Sequence, residues 1–201
     1  MNISSTDIDR DALFNYSIQA ENIGTTIELS DPQFRLNIEK YLFNRLFSEI
    51  EVILKSEYGL NDNWIYKFNI PSVTQGEYIL FQNKMWLSGF CIALEYYGGA
   101  WFLGLLARVE GKAKLPFGHA TLGTQEHAAL VRLAKDRWPE CISNWAWPAY
   151  EKIKDLDKTS GTLLKLTHEP FRKKLADELA EKLNSYAKFF ENSSELRLQN
   201  L

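Results

Sequence analysis

Cysteine and histidine are scarce in this 201-residue chain, with two of the first and three of the second. Cys91 and Cys141 cannot form the disulfide framework of a small secreted domain, and neither has a second cysteine close enough to make a metal-ligand pair. Reduced thiols and a cytoplasmic protein are the expectation. His119, His127 and His168 fall in no H-x-x-x-H or H-E-x-x-H pattern, so zinc is not expected. Long apolar runs are missing too: Ala100 to Ala107 is far short of the ~20 residues that span a bilayer. Met1 to Asp7 has neither the basic nor the apolar part of a secretory signal. Neither sign of charge dominates, because 23 Lys and Arg stand against 26 Asp and Glu, giving a net charge of -3. That balance opposes binding driven by the phosphate backbone of nucleic acids.

What is present is ordinary globular composition, 45% hydrophobic and 24% charged. At this length one domain over residues 1–201 is the default, with the acidic residues 1–29 a loosely packed lead-in carrying a short helix near Asp11 to Ala20. Asp31 can cap a helix whose first position, Pro32, needs no N–H partner. Phe34, Ile38, Leu42, Leu46, Ile50, Ile53 and Leu54 then recur at helical spacing until Gly59, which predicts a helix reaching roughly 40 Å. From Trp64 the period changes to two, and strands are expected at 64–70, 77–81, 90–97 and 100–109. Gly98-Gly99 between two apolar runs reads as a tight hairpin, since glycine takes positive φ without steric cost.

The hairpin sets a register. If Tyr97 pairs with Ala100, then Phe90, Ile92 and Leu94 share an apolar face with Leu103, Leu105 and Ala107, for which the long helix is the natural cover. The other face, with Cys91, Ala93, Glu95, Phe102, Gly104, Leu106 and Arg108, is mixed enough to face solvent or line a cleft. A loop at Leu115 to Ala120, a helix from Thr124 to Pro139, an aromatic loop at Trp145 to Tyr150 and a second long helix from near Thr167 to Glu191 complete the reading. The class is α+β, an antiparallel meander of about four strands covered by two long amphipathic helices.

Motifs for chemistry are few. The chain has no G-x-S-x-G, G-x-G-x-x-G or G-x-x-x-x-G-K-[ST]. Cys91 reads as a small buried hydrophobe, and Cys141 as a thiol beside the aromatic loop that could be open to solvent. Glu110-Gly111-Lys112 has the acid-x-Lys form used by metal-dependent nucleases, for which Glu95 or Glu77 would be the partner acid. In the hairpin register Glu95 faces Phe102, which leaves Glu110 eight residues away, ~26 Å at ~3.3 Å per residue. Those two carboxylates cannot share an ion. Glu95, with Arg108 its same-face candidate partner, therefore reads as a sheet residue facing water. His119 sits in a glycine-containing loop, and Trp145, Trp147 and Tyr150 read first as an anchor buried against the core and second as a stacking surface. Glu95, Arg108, His119, Trp145, Trp147 and Tyr150 are the candidate ligand or partner surface.

The run Phe90 to Tyr97, the strand Trp101 to Arg108 with Gly104-Leu105, then Trp147-Pro148-Ala149-Tyr150 and a closing helix resemble the C-terminal region of proteins of the PD-(D/E)XK nuclease superfamily. The resemblance covers about residues 64–190, and Ala149 departs from the usual Trp of its W-P-W-Y motif. In that family the catalytic acids and Lys precede this region, so no residue is carried over as catalytic. The resemblance implies a non-catalytic binding or regulatory module without a cofactor, linked to nucleic-acid processing or phage and host conflict. Its partner would be a protein, a second copy held through a long helix, or nucleic acid. The alternative is a diverged nuclease using Mg²⁺.

Overall fold

The computed structural model describes residues 32–59, 63–69, 78–86, 90–97, 99–107, 124–143, 147–154 and 156–196. The chain is α+β, but these residues hold five strands and four helices rather than about four strands and two long helices. In order they are α1 (Pro32–Ser56), β1 (Trp64–Asn69), β2 (Tyr78–Asn83), β3 (Phe90–Tyr97), β4 (Ala100–Ala107), α2 (Thr124–Arg137), β5 (Ala149–Ile153), α3 (Ser160–Thr167) and α4 (Glu169–Glu191). The strands form one sheet in sequence order, antiparallel at every pairing.

The hairpin register is the expected one, with Tyr97 opposite Ala100, Glu95 opposite Phe102 and Phe90 opposite Ala107. Gly99 has φ +86°, which suits the turn. Gly98 lies outside the described residues. The apolar face of that hairpin is buried as expected: Phe90, Ile92, Leu94, Trp101, Leu103, Leu105 and Ala107 join Leu42, Phe43, Leu46, Phe47, Ile50 and Leu54 of α1 in one core. Burying each large side chain contributes about 1.5–3 kcal/mol. Phe43 and Phe47 bracket Trp101 at 5.0 and 5.7 Å, so the sheet's central strands meet α1 through rings.

The additional strand is β5. It occupies residues 149–153, where the sequence suggests the end of a loop, because Pro148 and the aromatics mask a five-residue alternation. Ala149, Glu151 and Ile153 share one face of the strand, and Tyr150 and Lys152 the other. Pairing with β4 supplies the hydrogen bonds that so short a segment lacks by itself. The close approach of the two strands depends on Gly104, at φ +154°, where a Cβ would stand 2.2 Å from the Ala149 carbonyl oxygen and 2.7 Å from the Tyr150 Cα.

The second long helix is α4, over Glu169–Glu191, and a short helix that the sequence does not announce, α3, precedes it. Thr159 caps α3 by accepting from the Thr162 N–H, and α3 stops at His168. Pro170 then opens α4, where a missing N–H costs nothing. Arg172, 3% exposed, pins α4 in place. Its Nε donates to both carboxylate oxygens of Glu49 on α1, at 2.9 and 3.2 Å, and one Nη donates to the Leu166 carbonyl of α3 at 2.9 Å. A second tie runs from the turn before α3, where Lys158 pairs with Glu39 of α1 at 2.6 Å and lies 4.5 Å from the centre of the Tyr96 ring.

Asp157 organises that turn by accepting from the Thr159 N–H and hydroxyl, at 3.0 and 2.7 Å, and from the Thr162 hydroxyl. The Thr162 bond, then those from Thr159, hold the carboxyl below the usual carboxylate range. A depressed pKa stabilises the fold above the unfolded-state value, and the contribution disappears as pH falls through the folded one. Asp157→Asn should therefore lower the unfolding midpoint at neutral pH and reduce the difference from wild type below about pH 4. A constant difference across a thermal-melt series at several pH values would refute this.

Candidate functional site

The sheet's second face, turned away from α1 and α4, carries the charge that strand patterning leaves unexplained. Register builds it in transverse rows. Tyr78 of β2 pairs with Glu95 of β3, Glu95 with Phe102 of β4, and Phe102 with Lys152 of β5, and alternation puts all four on this face. The next row is Leu80, Ala93, Gly104 and Tyr150, with Tyr150 exchanging two 2.9 Å backbone bonds with Ile142 beyond the sheet edge. Cys91 and Leu106 form the row after that.

Glu95 is 3% exposed, which corrects the expectation that it faces water. Trp147, 5% exposed, belongs with Cys91, Ala93, Leu106 and Tyr150 to a second buried cluster, against which Leu80 and Phe102 also pack. Of the two readings of this face, open to solvent or lining a cleft, the first does not hold over these residues, since the segment before β5 lays Trp147 over them as an anchor. The three rings touch: Phe102 lies 5.4 Å from Tyr150, edge to face, and 6.3 Å from Trp147, and Trp147 lies 5.8 Å from Tyr150. Tyr78 and Phe102 remain half-buried, and Lys152 is exposed. The row thus has a buried carboxylate with a half-covered ring on either side and an ammonium at its β5 end.

Comparison with protein-family models, with curated proteins and with solved structures finds no match to this chain. The face is therefore read from its own chemistry.

Of the sequence candidates, Glu95, Trp147 and Tyr150 come together here, whereas Arg108, His119 and Trp145 lie outside the described residues. Glu77, Glu110 and Lys112 lie outside them as well. No three His, Cys, Asp or Glu side chains among the described residues converge as a metal site would require. Cys141 is buried at 7% exposure rather than open to solvent, because its chain turns in under Trp138 and α4. Burial pushes its thiol up, against the small opposing effect of Lys135, so it is a poor nucleophile.

Sequence reasoning misses Tyr78 and Lys152 as members of the site. Tyr78 needs the β2–β3 register, which no turn signal sets, and Lys152 needs β5. Alternation does place Phe102 on the right face, yet its significance comes only from standing beside a buried acid.

Proposed function

We propose that the chain is a non-catalytic binding module that engages nucleic-acid strands through the second face of its sheet, in nucleic-acid processing or phage and host conflict. One observation supports this reading: a carboxylate sits at 3% exposure in the middle of β3, flanked across the sheet by two half-buried rings. Desolvating an acid costs several kcal/mol unless its hydrogen bonds are met. The two rings flanking it stand half-buried in one row across the sheet, which suits them to stacking on a ligand. Sheet-borne aromatics are a recurrent way of holding unpaired bases. With a net charge of -3, stacking rather than phosphate contact must carry the affinity.

Fluorescence anisotropy with labelled single-stranded and duplex DNA and RNA, with and without Mg²⁺, tests the reading. Single strands should bind and remain intact on denaturing gels, and Tyr78→Ala should weaken binding by about 1–3 kcal/mol. Failure to bind any oligonucleotide would reject it. Mg²⁺-dependent cutting that Glu95→Gln abolishes would establish the nuclease instead.

A further inference from the structure

We infer that Phe102, Lys152 and Ile142 form a subsite for one nucleotide of a single strand, the ring taking the base and the ammonium its phosphate, an inference that rests on the binding face proposed above. Phe102 and Lys152 are direct cross-strand partners on the second face, so their Cβ atoms stand ~4.5–5.5 Å apart. Ile142 pairs with Tyr150 one row along, which sets it diagonally beside Lys152 on the same face. Three kinds of group thus border one spot at the β5 end of the sheet: a half-buried ring, an exposed ammonium and an isoleucine that is 48% exposed.

Each group suits this use. Phe102 is steadied by its edge-to-face contact with Tyr150 at 5.4 Å and by Trp147 at 6.3 Å, yet it is only half-buried, so ring surface remains for a base. Glu151, the chain neighbour of Lys152, lies on the other face and pairs with Lys182 of α4. None of the ion pairs among the described residues involves Lys152. Its charge is therefore open to a phosphate, and its flexible four-carbon stem can cross the width of a sugar from a base stacked on Phe102. A sugar set between ring and ammonium would rest on Ile142. A duplex keeps its bases stacked on one another and offers none to Phe102. The fit is to a single strand of any base sequence, because every base has a π-face.

Anisotropy titration of the full chain with labelled oligothymidylate over about 50 to 200 mM salt tests this, because a phosphate contact and a stacked base leave different signatures. Lys152→Ala should reduce the slope of log affinity against log salt by about 0.7, the share of one phosphate in a single strand, and Lys152→Arg should keep the wild-type slope. Phe102→Leu should weaken binding about tenfold and leave the slope unchanged. Lys174→Ala, at an exposed lysine of α4 on the helical side of the sheet, should change neither. Lys152 is exposed, so its variants decide the matter even if Phe102→Leu does not fold. A slope that Lys152→Ala leaves unchanged, or that Lys174→Ala lowers equally, would overturn the subsite while the binding face stands. No binding of the oligonucleotide at any of these salt concentrations would reject both.

Discussion

Gly104→Ala should detach β5 from the sheet or unfold the protein outright. A Cβ at this position would stand 2.2 Å from the Ala149 carbonyl oxygen and 2.7 Å from the Tyr150 Cα, and both obstacles are backbone. No rotamer change relieves such contacts, so β5 must move away and release the pairing that holds Tyr150 beside Phe102. A loss of more than about 4 kcal/mol is expected, at the extreme of single substitutions. Two other glycines provide controls. Gly99 has positive φ but nothing within 4 Å of its Cβ position, so Gly99→Ala should cost only about 1–2 kcal/mol. Gly161 lies in the first turn of α3 with ordinary contacts, so Gly161→Ala should be neutral or stabilise slightly. Thermal midpoints of the three variants check the order, and a Gly104→Ala protein as stable as Gly99→Ala would show that β4 and β5 do not approach this closely.

Arg172→Ala should be the most damaging change in the helical layer. It leaves the Glu49 carboxylate, which retains some contact with solvent, without its bidentate partner, and leaves the Leu166 carbonyl without its donor. Removing one member of a buried ion pair costs about 3–5 kcal/mol, and the partial exposure of Glu49 places the expectation at the lower end. For a chain of this size that corresponds to a drop of roughly 6–12 °C in midpoint. Arg172→Met combined with Glu49→Leu should recover much of the loss, since an apolar pair of similar volume avoids desolvating two charges. A double variant no better than Arg172→Ala would show that the ion pair itself, rather than an orphaned charge, sets the effect.

The legibility of the sequence divides along a physical line. Features governed by neighbours in the chain are readable: the period of α1, the full span of β3, and the register set by the Gly98-Gly99 turn, which by itself places Glu95 opposite Phe102. Features governed by distant partners are not. β5 is too short to declare itself and exists because β4 offers it a ladder. α3, only eight residues long, is too short to show its period, so the sequence reads as helical only from near Thr167, where α4 follows. Glu95 shows the same limit within the site. Its place in the strand is legible, but its surroundings include the cluster built around Trp147, 52 residues further on in sequence. Alternation along β3 carries no trace of that segment, which is why a residue expected to face water is buried.

The tie between Glu49 and Arg172 spans 123 residues. During synthesis at about 5–20 residues per second, Glu49 and the apolar side of α1 therefore wait roughly 6–25 s for their partner helix to be made. Over that interval the meander can form from contacts local in sequence, but the nascent chain still exposes much of the hydrophobic surface that α4 will cover. The core is closed by a helix made long after its partner, so ribosome-bound intermediates are where chaperones have most surface to grip.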